Sequence, residues 1–317
     1  MAIEDKLNLG KKIFFVNPPF DLQKLVMPLL SISEFEVYSV VNYQYTKAIL
    51  QLYPDSICFV CIDSGITMNE WENFVITLSN DDTLKNVCFG VLSAYASSTD
   101  KAHLLLNANI PAGFISLNDN KEDLAEKIEK ILLLNEARGV RKFIRVNCNR
   151  NRKTFIQYKI NDQPLAFAIQ DISSAGFLCA ASLKYKPFFT ENMLLRNIDI
   201  HLMTTKITCN AVVLRTFEKD GLLFIAMLFT KGLPYTAKLA IQTFIQYFLQ
   251  SNMNAKILTL EKDTTDYSKH ITKTDNDDAF LIAVEEDNVI YADDVQEDIV
   301  FADDLYEDDV KLIDDTI

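Results

Sequence analysis

The chain has 317 residues, 49% of them hydrophobic with 21 phenylalanines, and a formal net charge of −13. The length suggests two domains with an appendage, and the apolar content admits large cores. No apolar run approaches the roughly 18 residues of a transmembrane helix, and the opening Met1-Ala-Ile-Glu-Asp-Lys lacks an apolar signal core. A soluble, cytoplasmic protein without membrane insertion is therefore expected. The charge is unevenly divided. Glu261 to Ile317 carries 20 acidic and 4 basic side chains, a net of −16, which leaves the rest of the chain at +3. A mildly basic body suits an anionic ligand, and the acidity belongs to a tail.

From residue 11 to residue 136, apolar strand-like runs alternate with helical patterns. Lys12 to Val16, Phe35 to Val40, Ile57 to Ile62, Asn86 to Leu92 and Ala112 to Ser116 read as five strands. Tyr43 to Tyr53 and Asn69 to Leu78 read as helices between them. Lys121 to Ala137, with Leu124, Ile128, Ile131 and Leu132 on one face, has a helical period. Strand–helix units in this order predict an α/β, doubly wound parallel sheet over residues 1–137. Cys58 and Cys61 form a CxxC inside the third strand. Successive strand residues point to opposite faces, so these thiols cannot converge on a metal. All six cysteines read as reduced core residues, and no metal site is expected.

The order and lengths of these units resemble a response-regulator receiver domain. Asp63, ending the third strand, stands at that family's phosphoacceptor position, and Ser93, after the fourth, at its hydroxyl position. The acidic pair expected after the first strand is replaced by Asn17-Pro18-Pro19, and Ser116-Leu117 occupies the turn where a lysine is expected. One aspartate does not make the oxygen cage that Mg²⁺ needs. The expectation is a degenerate receiver, serving as a docking or dimerising module.

The basic run that follows begins at Arg138 and contains Arg141-Lys142-Phe143-Ile144-Arg145. Lys153 to Ile160, Leu165 to Gln170, Gly176 to Ala180, Arg196 to Leu202, Ile207 to Phe217 and Leu222 to Phe229 then read as six short strands. Asn161-Asp162 and Lys219-Asp220-Gly221 supply turns between them. The pattern predicts a small antiparallel β-barrel. Residues 235 to 252 make an amphipathic helix able to pack across a barrel end. Between the second and third strands lies Asp171-Ile172-Ser173-Ser174-Ala175-Gly176.

RxxxR followed 26 positions later by DxSxxG resembles the PilZ domain, a bacterial receptor for cyclic di-GMP, over roughly residues 138 to 255. The resemblance implies that Arg141 and Arg145 clamp phosphate and guanine, with Asp171, Ser173 and Gly176 on the barrel wall opposite. The residue types fit that chemistry. A guanidinium fork matches phosphate oxygens and the O6/N7 edge of guanine. A carboxylate accepts from guanine's N1 and N2, a hydroxyl bonds a phosphate, and glycine permits close approach of backbone. Arg138 lies outside both motifs.

The expected organisation is thus a degenerate receiver-like domain (1–137), a PilZ-like domain (138–256) and an acidic, disordered tail (257–317). The tail contains a repeat, Val289-Ile-Tyr-Ala-Asp-Asp-Val-Gln-Glu-Asp298 echoed by Ile299-Val-Phe-Ala-Asp-Asp-Leu-Tyr-Glu-Asp308. Its spaced apolar residues suit docking to a basic partner. His103 and His201 read as structural or exposed, and neither a Gly-rich phosphate loop nor a GxSxG turn occurs. The expected function is a non-enzymatic cyclic di-GMP effector, without cofactor or nucleic acid, whose ligand reorients the domains or a protein partner about a hinge near Gly139. The alternative is a protein-interaction scaffold whose barrel binds no nucleotide.

Overall fold

The structure, a computed structural model, describes residues 10–149, 151–161 and 163–269, with side chains as far as Leu260. It divides into two units. The first comprises the described residues through Asn147, together with Ile172–Ala175 and Pro234–Leu260; the second comprises Cys148–Asp171 and Gly176–Leu233.

In the first unit, β1 (Lys12–Val16), α1 (Met27–Ile32), β2 (Val37–Val40), α2 (Thr46–Leu52), β3 (Ser56–Cys61), α3 (Met68–Ser79), β4 (Cys88–Ser93), α4 (Ser98–Asn107), β5 (Gly113–Ser116) and α5 (Lys121–Leu134) alternate as expected. A short strand, β6 (Arg145–Asn147), follows. The five strands are parallel, in the order β2-β1-β3-β4-β5, with Phe14 level with Tyr38 on one side and Cys58 on the other. This is the α/β receiver-like architecture. Both faces are covered, so β1, β3 and β4 carry unbroken runs without polar side chains, Ile13 to Val16, Ile57 to Cys61 and Cys88 to Leu92, rather than an alternating pattern. Ile13, Phe15, Phe59 and Cys61 pack with Leu124, Ile128 and Leu132 of α5. Phe14, Val16, Cys58 and Val60 pack with Trp71 and Val75 of α3 on the other face. Cys58 and Cys61 therefore belong to opposite cores, as strand geometry requires. Capping boxes, Thr67 with Glu70 and Ser97 with Asp100, start α3 and α4.

The second unit is a closed antiparallel barrel of six strands: β7 (Thr154–Ile160), β8 (Gln163–Ser173), β9 (Gly176–Ser182), β10 (Leu194–Leu202), β11 (Thr205–Lys219) and β12 (Leu222–Phe229). Neighbours run β8-β7-β10-β11-β12-β9, and pairing of β8 with β9 closes the ring. The β11–β12 hairpin turns at Asp220 and Gly221, with φ of 52° and 78°. Two successive positive φ values match the right-handed twist of the strands, and the Asp-Gly pair accepts them. Strands β8 and β11 extend beyond the expected runs because their pairing continues through further residues, such as Lys159 opposite Pro164 and Glu218 opposite Leu223.

The last helix departs from expectation in length and in packing. Instead of ending at residue 252, α6 spans Tyr235–Lys269, so residues 257–269 are helical and not the start of a tail. The remainder of the expected tail, with its repeat, lies outside the described residues. Pro234–Leu260 groups with the α/β unit. The cause is a ladder of glutamines on the sheet edge. Gln246 donates to the Val37 carbonyl at 2.9 Å, and Gln250 donates to the Ser39 carbonyl and accepts from the Ser39 N–H, both at 2.9 Å. Strand β2 is the edge strand, and these amides satisfy backbone groups that a sheet edge leaves open. Below them, Met253 enters the core with Leu249 and Ile257 beside it. Among the described residues, no helix is long and apolar enough to cross a membrane.

Candidate anion-binding cleft

Helix α5 stops at Leu134, three residues before the expected end. Glu136 takes a positive φ of 53°; its N–H bonds the Leu133 carbonyl at 3.2 Å, and the Ala137 N–H bonds that of Leu132 at 2.9 Å. These two bonds make a Schellman ending, sealed by burial of Ala137. The chain then turns into the basic run. A cleft of about 430 Å³ is lined here by Arg138, Arg141, Lys142 and Arg145, with Glu34 and Glu36 among them. Arg141 and Arg145 are both half-buried, Arg145 as the first residue of β6. Arg138 is committed elsewhere. Its guanidinium lies 4.9 Å from the centre of the Phe35 ring, donates to the Ser33 carbonyl at 3.2 Å and pairs with Glu129.

Glu34, which the sequence reading did not single out, sits at the centre of the cleft's hydrogen bonding. Helix α1 ends as α5 does, with Glu34 at φ 61°. The Glu34 N–H bonds the Ser31 carbonyl and that of Phe35 the Leu30 carbonyl, while the Phe35 ring is buried at 1% exposure. This fixed backbone aims the carboxylate at two donors. It accepts from the Ile144 N–H at 2.9 Å and from the Ser174 hydroxyl at 2.5 Å. One donor lies within RxxxR and the other within DxSxxG. Glu36 has other partners, Lys12 and the Tyr38 hydroxyl.

The DxSxxG residues divide. Ser173 and Ser174 are buried, and the Ser173 hydroxyl accepts from the Ala175 N–H at 3.3 Å, bracing the turn between β8 and β9. Asp171, on β8, and Gly176, opening β9, belong to the second unit. Asp171 is half-buried. Its charge adds to the effect of burial in pushing the Cys148 thiol up to about 12 and the Cys179 thiol upward as well. Gly176 has a demand of its own: a Cβ there would lie 2.1 Å from the Met227 carbonyl oxygen of β12. Close strand approach needs glycine at this position independently of any ligand.

At the receiver-like position, the Asp63 carboxylate is held from one side. Ser93 donates to it, as does the Ala94 N–H at 2.6 Å. Asn17, just after β1, is a strut: its amide donates to the Cys61 and Ser64 carbonyls at 3.1 and 2.8 Å. Among the described residues, no group of three or more His, Cys, Asp or Glu side chains is arranged to hold a metal ion. His103 pairs with Glu72, and His201 stacks on Phe155 with ring centres 4.4 Å apart.

No protein-family model matches the chain, and no curated protein matches it. Solved structures similar to parts of it include YcgR from Escherichia coli in complex with c-di-GMP, at 17% identity over 43% of this chain and 52% of that chain, with a TM-score of 0.27. The K. pneumonia MrkH–c-di-GMP complex follows at 19% identity, 39% of this chain and 55% of that one, TM-score 0.29. The chemotaxis protein CheY4 of Vibrio cholerae is similar at 15% identity over 39% of this chain and 99% of that one, TM-score 0.33. The chain spans about half the length of the YcgR and MrkH chains.

Proposed function

We propose that the chain is a cytoplasmic, non-enzymatic receptor for cyclic di-GMP. Arg141 and Arg145 contact the ligand's phosphates and guanine, and Asp171 reads guanine from the barrel. The observation that carries this reading is the cleft: three cations of the basic run, Arg141, Lys142 and Arg145, line one concavity with a backbone N–H and a serine hydroxyl close by. Arginine forks and neutral N–H and O–H donors are the groups that recognise phosphodiesters. Asp63 acts as a structural carboxylate in a docking module, because its oxygens are occupied by Ser93 and the Ala94 N–H and Asn17 stands in place of an acid. Ligand binding then changes how the protein presents itself to a protein partner.

Calorimetric titration of the whole chain with cyclic di-GMP and cyclic di-AMP tests the reading. Arg145→Ala is expected to weaken cyclic di-GMP binding by about 1.5–3 kcal/mol, the range for a lost hydrogen bond to a charged group. Asp171→Ala is expected to erase the preference for guanine over adenine. Wild-type-like binding by the Arg141→Ala, Arg145→Ala double variant removes the clamp assignment.

The second reading, an interaction scaffold without nucleotide, has its own support. Ser173 and Gly176 both have structural employment, in the β8–β9 turn and against Met227, so two of the five motif residues are accounted for without a ligand. Absence of heat with either dinucleotide favours this scaffold.

A further inference from the structure

Glu34 places a negative charge inside a cleft whose other features favour an anion. Its carboxylate is held by the Ile144 N–H at 2.9 Å and the Ser174 hydroxyl at 2.5 Å. These are the kinds of donor that bind a phosphate oxygen. Ile144 lies between Arg141 and Arg145, so an anion bonded to its N–H also meets the field of both guanidinium groups. The other acid of the cleft, Glu36, is taken up by Lys12 and Tyr38.

We propose that Glu34 is a resident anion, occupying in the ligand-free protein the donors that a ligand phosphate takes over, so that cyclic di-GMP binds in competition with it. The inference rests on the cyclic di-GMP reading of the same cleft and adds its regulation. The Schellman ending of α1 fixes the Glu34 backbone, so exchange requires only that the side chain swing away. Once displaced, Glu34 no longer ties Ile144 to Ser174, residues 30 positions apart. Ligand occupancy is thereby coupled to the end of α1 in the receiver-like unit. The device also sets a threshold: dinucleotide must outcompete a tethered carboxylate that is always present.

The test is titration of the full chain with cyclic di-GMP at low and at 0.3 M salt, for wild type, Glu34→Gln and Glu34→Asn. Gln removes the charge at constant size. Asn shortens the reach and, unlike most residues, tolerates the positive φ, so at least one variant keeps the fold, as circular dichroism melts verify. Both are expected to bind about three- to tenfold more tightly than wild type at low salt, the scale of one partly screened charge. The gain should shrink at 0.3 M salt. Equal or weaker binding by both variants overturns the inference, because Glu34 then organises the cleft rather than competing for it. Arg145→Ala separates the two levels. If wild type binds and Arg145→Ala does not, while the Glu34 variants match wild type, only the competition falls. If no form binds cyclic di-GMP, the receptor reading falls and the inference with it.

Discussion

Alanine at Gly176 separates a structural from a ligand-binding role for the last residue of DxSxxG. Gly176 lies opposite Leu228 in the β9–β12 ladder. An added Cβ would meet the Met227 oxygen at 2.1 Å, the Leu228 Cα at 3.0 Å and the Met227 carbonyl carbon at 3.1 Å. All three are backbone atoms, so no rotamer relieves the clash. Restoring even 3.0 Å to the oxygen needs a shift of about 0.9 Å between paired strands. Overpacking of this kind costs about 1–3 kcal/mol, and disturbing one or two ladder hydrogen bonds adds about 1 kcal/mol. A total of about 2–4 kcal/mol corresponds to a fall in Tm of roughly 8–32 °C for a unit of about 80 residues. Thermal melts followed by circular dichroism measure it. Titration with cyclic di-GMP well below the transition then reports the affinity of the folded fraction, which should stay near wild type. A variant that melts within a degree of wild type but no longer binds the dinucleotide refutes the reasoning. Gly176 would then be kept clear for the ligand and not for Met227.

Two further outcomes follow from the α/β unit. Gln250→Ala leaves the N–H and carbonyl of Ser39 without their side-chain partner, so stability should fall by about 1–3 kcal/mol and the Ser39 amide should exchange faster; unchanged exchange rules out the ladder as the helix anchor. The Asp81 carboxyl is held down at about 2 by hydrogen bonds from Lys47 and then Thr83. A carboxylate with a lowered folded pKa stabilises fully above its ordinary value of about 4 and loses that contribution as pH falls toward 2. Asp81→Asn should therefore flatten the acid limb of the stability curve between about pH 4 and pH 2, and an unchanged limb contradicts the pairing.

The division between what sequence and tertiary structure determine follows the range of the forces involved. The parallel sheet is legible because β1, β3 and β4 are buried on both faces and so are continuous apolar runs. The barrel is legible because its apolar strand runs are separated by turn residues, and Leu222 to Phe229 coincides with β12 to the residue. The motif RxxxR is likewise visible as a string, and so is the opposed placement of Cys58 and Cys61, which depends only on the two-residue period of a strand. The end of α5 is less legible, since Glu136 supplies the positive φ that a glycine usually marks.

Other features have no local signature. The glutamines of α6 recur every four residues, which shows an amide stripe, but only the open edge of β2 makes that stripe a docking surface. Gly176 reads as room for a ligand, and only the fold sets the Met227 carbonyl against it. Glu34 looks like an ordinary surface acid. Its role depends on Ile144, 110 residues away, and Ser174, 140 away, just as Gln250 depends on Ser39, 211 away. Periodicity and turn chemistry act between neighbours in the chain and survive in the string. A hydrogen bond between distant segments depends on how the intervening elements pack, and its partner is defined only once they have.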